Sequence, residues 1–336
     1  MDKVNLKSLA KELNISISTV SRALLDSHEV SSETRSRVLE LAKKMDYSPN
    51  PYATFLRSNK SKTIAVIVPE LTNIFFVQAI SGTQSIANLN DYHILIYVSD
   101  DSYESEKKIL KILKNRRADG IIMSIASNTS NYNHILETMG SGIPVVLFDR
   151  VAEEIKTTKI ITDNFDCGFK ATEHLIEKGC RNIAYMSVSK NLSIDSKRRE
   201  GYLQAMQNHN LITNNSNFIN CGDDEKSDYE IVRHHLSSEK KPDGLFSSVE
   251  KLALTAYSVC NDLSISIPEN IKIITFSNMT MAPLLCPPLS TISQPAEEIG
   301  KQAAETLLKC LKKKGRTIGN EEIQISSFLN LRGSSQ

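Results

Sequence analysis

Leu6-Lys7-Ser8-Leu9-Ala10-Lys11-Glu12-Leu13-Asn14-Ile15-Ser16-Ile17-Ser18-Thr19-Val20-Ser21-Arg22 is the stretch from which the rest of the chain can be read. Leu6, Leu9, Ala10 and Leu13 recur at helical spacing, which predicts a short first helix with one apolar face. Asn14 follows, and asparagine tolerates the left-handed backbone that a tight turn requires. Ser16 then offers a hydroxyl to cap the free N–H groups of a second helix. The buried stripe of that helix is Val20, Ala23 and Leu24, which turns Ile17, Ser18, Ser21 and Arg22 outward. Two short helices joined by a tight turn, with small hydroxyl side chains and one arginine exposed, predict a helix-turn-helix. Such a unit sets its second helix in the DNA major groove, N-terminal residues at the base edges. An ordinary helical hairpin with a polar face would share this pattern, so the neighbouring sequence has to decide.

Downstream, Ser31 can cap a third helix over Ser32 to Met45, with Val38, Leu39, Leu41, Ala42 and Met45 as its inner face. Tyr47-Ser48-Pro49-Asn50-Pro51-Tyr52-Ala53-Thr54-Phe55-Leu56-Arg57 comes next. Here the sequence resembles the LacI/GalR family of bacterial transcription regulators. The resemblance is carried by Leu6, Ala10, Val20-Ser21-Arg22, Val30-Ser31, Thr34-Arg35, Val38, Tyr47, Pro49-Asn50, Ala53 and Leu56. It implies DNA contacts from Ser16, Ile17, Ser18, Thr19, Ser21 and Arg22, and from Ser31 and Thr34 at the third helix. It also implies a hinge helix whose Asn50, Ala53 and Leu56 meet the minor groove, Leu56 wedging between base pairs. That segment is about two turns long, too short to persist alone in water. An apolar wedge kinks the duplex and selects deformable central steps.

Charge is unevenly spread. The 336 residues carry a net +1, but residues 1–62 hold eleven Lys and Arg against seven Asp and Glu, a surplus of +4 that leaves −3 for the remainder. A basic head on an acidic body suits a polyanion met at one end. The six cysteines lie far apart, with neither a Cys-x-x-Cys pair nor a His-Cys cluster, and read as buried apolar side chains of a cytoplasmic protein. No disulfide, metal or cofactor is expected. No apolar signal core opens the chain, and no run of about eighteen apolar residues marks a membrane span.

From Thr63 onward strands alternate with helical patterns. Ile64–Pro69, His93–Val98, Gly120–Met123 and Val145–Phe148 form a first series of apolar runs. Lys159–Thr162, Asn182–Ser187, Gly244–Ser248 and Lys272–Phe276 form a second. Continuous apolar runs suit buried parallel strands, and two series predict two doubly wound subdomains. This body resembles the periplasmic-binding-protein-like effector domain of the same family, through Asn73-Ile74-Phe75-Phe76, Ala118–Ile122, Pro144–Arg150, Asp163-Asn164, Gly168, Ala171, Arg198, Gly201-Tyr202, Leu289–Gln294 and Ile299-Gly300. The expected fold is thus an all-α helix-turn-helix head (1–49), a hinge (50–60) and an α/β body (61–336). Within the body, about 61–160 and 293–319 form one subdomain, and about 161–292 and 320–336 the other.

Ligands of open α/β sheets bind beyond the carboxyl ends of the strands. Residues expected there are Phe75 and Phe76, Ser124, Asp149, Arg198, Glu250, Ser277 and Asn278. Phe75 and Phe76 could stack on a ring or pack in the core; Asp149 could accept from hydroxyls or pair with Arg150. Arg198 matches the family's ligand-binding arginine, and its five-donor fork suits hydroxyls or carboxylates. Two positions depart from the family pattern: Val249-Glu250 replaces the usual Asn-Asp, and Ser277 replaces an Asp. Losing an amide and a carboxylate removes acceptors used for sugar hydroxyls, which shifts the expected effector toward a phosphorylated or acidic sugar.

An enzyme sharing the body fold is the alternative, but the chain has neither a Gly-x-x-x-x-Gly-Lys-Ser/Thr nor a strand-linked Gly-x-Gly-x-x-Gly. An exported solute-binding protein, the other alternative, would lack the basic head. The expected function is a DNA-binding transcription regulator, most often a repressor in this family. It would act as a homodimer on a pseudo-palindromic operator, answering a sugar or sugar derivative.

Overall fold

The computed structural model describes residues 5–24, 29–47, 61–115, 117–188, 192–222, 224–313 and 318–336. It divides into two compact units, Met1–Ser61 and Lys62–Gln336.

In the first unit α1 (Leu6–Leu13), α2 (Ile17–Leu24) and α3 (Ser32–Lys44) surround a small core of Leu9, Ala10, Val20, Ala23, Val38 and Ala42. Each helix begins on a side-chain cap. Asn5 Oδ1 accepts from the Lys7 and Ser8 N–H groups at 2.9 and 3.1 Å. Ser16 Oγ accepts from Thr19 N–H at 3.1 Å, and Ser31 Oγ from Thr34 N–H at 3.3 Å. Such caps satisfy donors that the helix itself leaves open. Asn14 closes α1 at φ 53°, the left-handed turn residue expected from the sequence. Leu39, counted on the inner face of α3, is 48% exposed. It lies about 100° round the helix from Val38, beyond the arc that α1 and α2 cover.

The second unit contains two six-stranded sheets. The first has the order β11-β5-β4-β3-β1-β2, built from β1 (Thr63–Val68), β2 (His93–Val98), β3 (Gly120–Met123), β4 (Val145–Phe148), β5 (Lys159–Thr162) and β11 (Glu322–Ile325). The second runs β12-β10-β9-β8-β6-β7, from β6 (Ile183–Ser187), β7 (Phe218–Asn220), β8 (Gly244–Ser247), β9 (Lys272–Phe276), β10 (Ser290–Ser293) and β12 (Phe328–Asn330). All pairings are parallel except β10 with β12. Parallel sheets need cover on both faces. In the first sheet, α4 (Ile74–Asn88) and α11 (Ala296–Lys312) cover one face, while α5 (Tyr103–Leu113) and α6 (Asn133–Gly140) cover the other. In the second, α7 (Asn164–Glu177) and α8 (Ser193–Asn208) lie opposite α9 (Glu225–Leu236) and α10 (Glu250–Asp262).

Three features differ from the sequence reading. Lys159–Thr162 opens no second series: it pairs with β4 in the first sheet, and the second sheet starts at β6. Residues 320–336, assigned whole to the second half, are shared, because β11 joins β5 while β12 joins β10. An apolar strand has no mark saying which of two sheet edges it extends. Third, β2 is an edge strand with Leu95 and Ile96 41% and 46% exposed, not a buried run.

The two lobes repeat one helix-crossing device. A Cβ on Gly82 would meet the Glu297 carbonyl oxygen at 2.0 Å, and one on Gly300 the Ala79 oxygen at 1.9 Å, where α4 crosses α11. Where α7 crosses α8, a Cβ on Gly168 would meet the Arg198 oxygen at 2.3 Å, and one on Gly201 the Phe165 oxygen at 2.1 Å. This second crossing fixes the depth of Arg198. Gly201→Ala must push the helices apart and should cost about 1–3 kcal/mol of stability. Gly140→Ala is the control, since its Cβ would meet nothing within 4 Å. Denaturant melts of both variants check this; equal midpoints would refute the close crossing.

Candidate functional site

Two places concentrate exposed or convergent polar groups, one in each unit.

On the head, α2 presents Ile17 (45% exposed), Ser18 and Arg22 to solvent, with Thr19 half-buried beside them. Ser16 Oγ lies 2.7 Å from Ser18 Oγ and 2.8 Å from Thr19 Oγ1, a hydroxyl cluster at the helix start. Arg22 Nε pairs with Glu29 Oε2 at 3.1 Å, both side chains more than half exposed. Ser31 and Thr34 share a hydroxyl contact at 2.9 Å at the start of α3. Ser21 corrects the sequence reading: it is 7% exposed rather than outward-facing. With both α1 and α3 packed on α2, the covered arc is wider than the apolar stripe, and a small serine fits inside it. Asn50, Ala53 and Leu56 lie outside the described residues.

In the body, a cleft lies at the carboxyl ends of the strands, where the chain passes between the two sheets. Of the expected ligand residues, Phe75, Phe76, Asp149, Arg198, Glu250, Ser277 and Asn278 line one cavity of about 30 Å³ there. Ser124 does not. It is fully buried behind the cleft, its Oγ accepting from Arg150 N–H at 3.4 Å. Phe75 and Phe76, 4% and 1% exposed, belong to the core while still edging the cavity. Phe76 meets Phe148 edge-on at 6.3 Å.

Arg198 is the hub. It is 2% exposed, its guanidinium 3.5 Å from the Phe276 ring centroid. Its Nε donates to Asn164 Oδ1 at 2.8 Å, Nη1 to the Ser248 carbonyl at 2.6 Å, and Nη2 to Gln294 Oε1 at 3.3 Å. Gln294 Nε2 in turn donates to Asp149 Oδ1 at 3.2 Å. Asp149 follows β4 at φ 57°, a left-handed position that aspartate tolerates. Burial pushes its carboxyl above the ordinary aspartate value, opposed by Arg198, Arg150 and the Gln294 hydrogen bond. Burial likewise lowers Arg198, and Asp149 opposes that. Arg150 Nη1 pairs with Asp101 Oδ1 at 2.6 Å. Ser277 Oγ donates to Glu250 Oε2 at 2.5 Å, so the two departures from the family pattern are bonded to each other.

Asp149 and Glu250 line the cavity with Arg150 and Arg198, and Arg150 is already paired with Asp101. The lining has no cationic surplus. Sequence reasoning gave no ligand role to Asn73, Arg150 or Gln294, all of which line the cavity. For Gln294 the available signal was its position directly after the strand-forming run Leu289–Ser293.

The raised Asp149 carboxyl makes a pH prediction. A group whose pKa folding raises binds its proton more tightly in the folded chain. Its stabilisation is present below the unfolded aspartate value and is lost as pH rises through the folded one. Asp149→Asn cannot ionise. Its stability relative to the native chain should therefore rise as pH increases from about 4, the unfolded aspartate value, and level off once pH has passed the raised folded one. Denaturation midpoints across that range check it, and a pH-independent difference would count against the shift.

Among the described residues no group of His, Cys, Asp or Glu could hold a metal ion, and no helix is long and apolar enough to cross a membrane. The cysteines are free thiols; Cys286 is exposed and Cys221 half-buried, against the expectation that all six are buried.

Comparison with known proteins assigns both units. Residues 5–50 match the model of bacterial regulatory proteins, lacI family, and residues 172–335 that of the periplasmic binding protein-like domain. The HTH-type transcriptional regulator RegA of Clostridium saccharobutylicum is 30% identical over 312 residues, 92% of this chain and 93% of its own. A Lac repressor dimer bound to operator and the anti-inducer ONPF shares the fold, with TM-score 0.85 and 19% identity over 99% of each chain. A LacI family regulator from Enterococcus faecium with bound ribose has TM-score 0.71 and 26% identity over 81% of this chain and 98% of that one. The chain belongs to the lacI family of bacterial regulatory proteins: it is a DNA-binding transcription regulator and not an enzyme.

Proposed function

We propose that this regulator is a cytoplasmic repressor of a carbohydrate-related operon, released or engaged by a neutral, hydroxyl-rich sugar bound between its two sheets. The observation that carries this is the balanced lining of the cleft. Asp149 and Glu250 accept, Arg150 and Arg198 donate, and Phe75, Phe76 and Phe276 supply apolar faces. Sugars offer such alternating donors, acceptors and C–H faces, whereas a phosphate would set its charge beside two carboxylates as well as two guanidiniums. The ribose held by the Enterococcus faecium relative is in keeping with this class.

Specific binding requires a homodimer, because one head reads only a half-site. The exposed apolar edge of β2, Leu95 and Ile96, supports a second copy as its cover, since an open edge strand left bare invites pairing. Melting of the protein against neutral sugars and their phosphates, beside operator gel shifts and sedimentation, tests the proposal. A neutral sugar should raise the melting temperature and change operator affinity in a dimer. A response confined to sugar phosphates, or a monomer that binds one intact operator tightly, would overturn it.

A further inference from the structure

The innermost polar groups of the cleft are already partnered by the protein itself. Gln294 Nε2 donates to Asp149 Oδ1 at 3.2 Å and to Thr162 Oγ1 at 3.0 Å, while its Oε1 accepts from Arg198 Nη2 at 3.3 Å. Asp149 follows β4 and Thr162 ends β5 of the first sheet; Arg198 lies on α8, over the second. One carboxamide therefore ties the lobes together. It offers what a hydroxyl offers, donating to the carboxylate and accepting from the guanidinium.

The cavity left around it is small, about 30 Å³. A chamber of about 480 Å³ adjoins it, sharing Asn73, Arg150, Val249 and Glu250. A ligand entering from that chamber competes with the carboxamide for Asp149 Oδ1 and Arg198 Nη2. The backbone of Gln294 cannot follow a displaced side chain. Its N–H donates to Asn278 Oδ1 at 2.9 Å and its carbonyl accepts from Asn278 Nδ2 at 2.7 Å. Asn278 Nδ2 also donates to Gln78 Oε1 on α4 at 2.7 Å. Exchange is thus a side-chain rotation about a pinned backbone.

We propose that Gln294 is an internal stand-in for the ligand, which closes the empty cleft and must be rotated out before a ligand hydroxyl takes its place between Asp149 and Arg198. This rests on the reading of the cleft as the ligand site. Two consequences separate it from a merely structural glutamine. Without ligand, the side chain holds the lobes together. With ligand, it competes, so removing it tightens binding.

The test uses Gln294→Ala and Gln294→Met, the second keeping the volume should the first collapse the cleft. Backbone hydrogen exchange of the ligand-free protein is read in peptides covering 148–151 and 246–250. Both variants should exchange faster there, and no faster in the β1 core. Calorimetric titration with D-ribose and D-glucose is the second arm. A sugar that binds the native chain should bind Gln294→Ala about tenfold tighter, the net worth of one or two hydrogen bonds no longer displaced. Unchanged exchange in both variants would overturn the tie. Weaker sugar binding to both would make Gln294 a ligand contact and overturn the competition. If neither sugar binds the native chain, the choice of neutral sugar is in question, while the exchange arm still decides the tie.

Discussion

Arg198→Ala should lose roughly 3–5 kcal/mol of stability and, in whatever folds, all response of operator binding to ligand. The size follows from what the side chain leaves behind. Asn164 Oδ1 and the Ser248 carbonyl each lose a charged donor at 2.8 and 2.6 Å, and Gln294 loses the partner that fixes its carboxamide. Asp149 keeps only Arg150 as a nearby cation, in a site where burial already disfavours its charge. Removing one partner from a buried charged network costs more than the network is worth when intact, because the remaining groups stay dehydrated. Arg198→Lys tests the geometry. It keeps the charge but cannot donate in three directions from one plane, so it should recover only part of the loss. Chemical denaturation measures the first effect and gel shifts with and without sugar the second. A variant that melts like the native chain and still answers ligand would show Arg198 to be a bystander.

Arg22→Ala should weaken cognate operator binding by about 1–3 kcal/mol per half-site while leaving non-specific binding almost unchanged. Arg22 stands on the exposed face of α2, next to Ile17 and Ser18, where a recognition helix meets base edges. Its Nε is engaged by Glu29 at 3.1 Å, with the two side chains 54% and 59% exposed. An ion pair that open contributes at most about 1 kcal/mol, so it orients the guanidinium without withholding it. The terminal nitrogens can then fork onto a guanine, the pairing that best discriminates among bases. Fluorescence anisotropy on cognate and scrambled duplexes, repeated over a salt series, separates the outcomes. Loss on the cognate duplex alone identifies base reading. Equal loss on both, with a shallower salt slope, would make Arg22 a phosphate contact.

How much was legible in advance differs between the two units. In the head, short-range signals suffice. Leu9, Ala10, Val20 and Ala23 mark buried faces by helical spacing, and Asn14 and Ser16 mark the turn and cap by their own chemistry. Only Ser21 and Leu39 were misjudged, and both depend on how wide an arc the neighbouring helices cover. In the body, apolar runs located eight of the twelve described strands and missed β7, β10, β11 and β12, which are short or lie at sheet edges. They could not say that Lys159–Thr162 joins the first sheet, because an apolar run fits either sheet equally.

The cleft shows the same division. The sequence by itself determined which residue types stand at the strand ends, and seven of the eight expected ligand residues do line one cavity. The close crossing at Gly168 and Gly201 shows only in the structure, where glycine lets α7 and α8 approach closely enough to seat Arg198. Only the tertiary structure decided how those groups are satisfied. Glu250 bonds to Ser277 across 27 residues of chain, and Gln294 bridges Asp149 and Arg198, 145 and 96 residues away. Those partners meet because separate strands end at one place, and a buried polar group must bond to whatever the fold brings within reach.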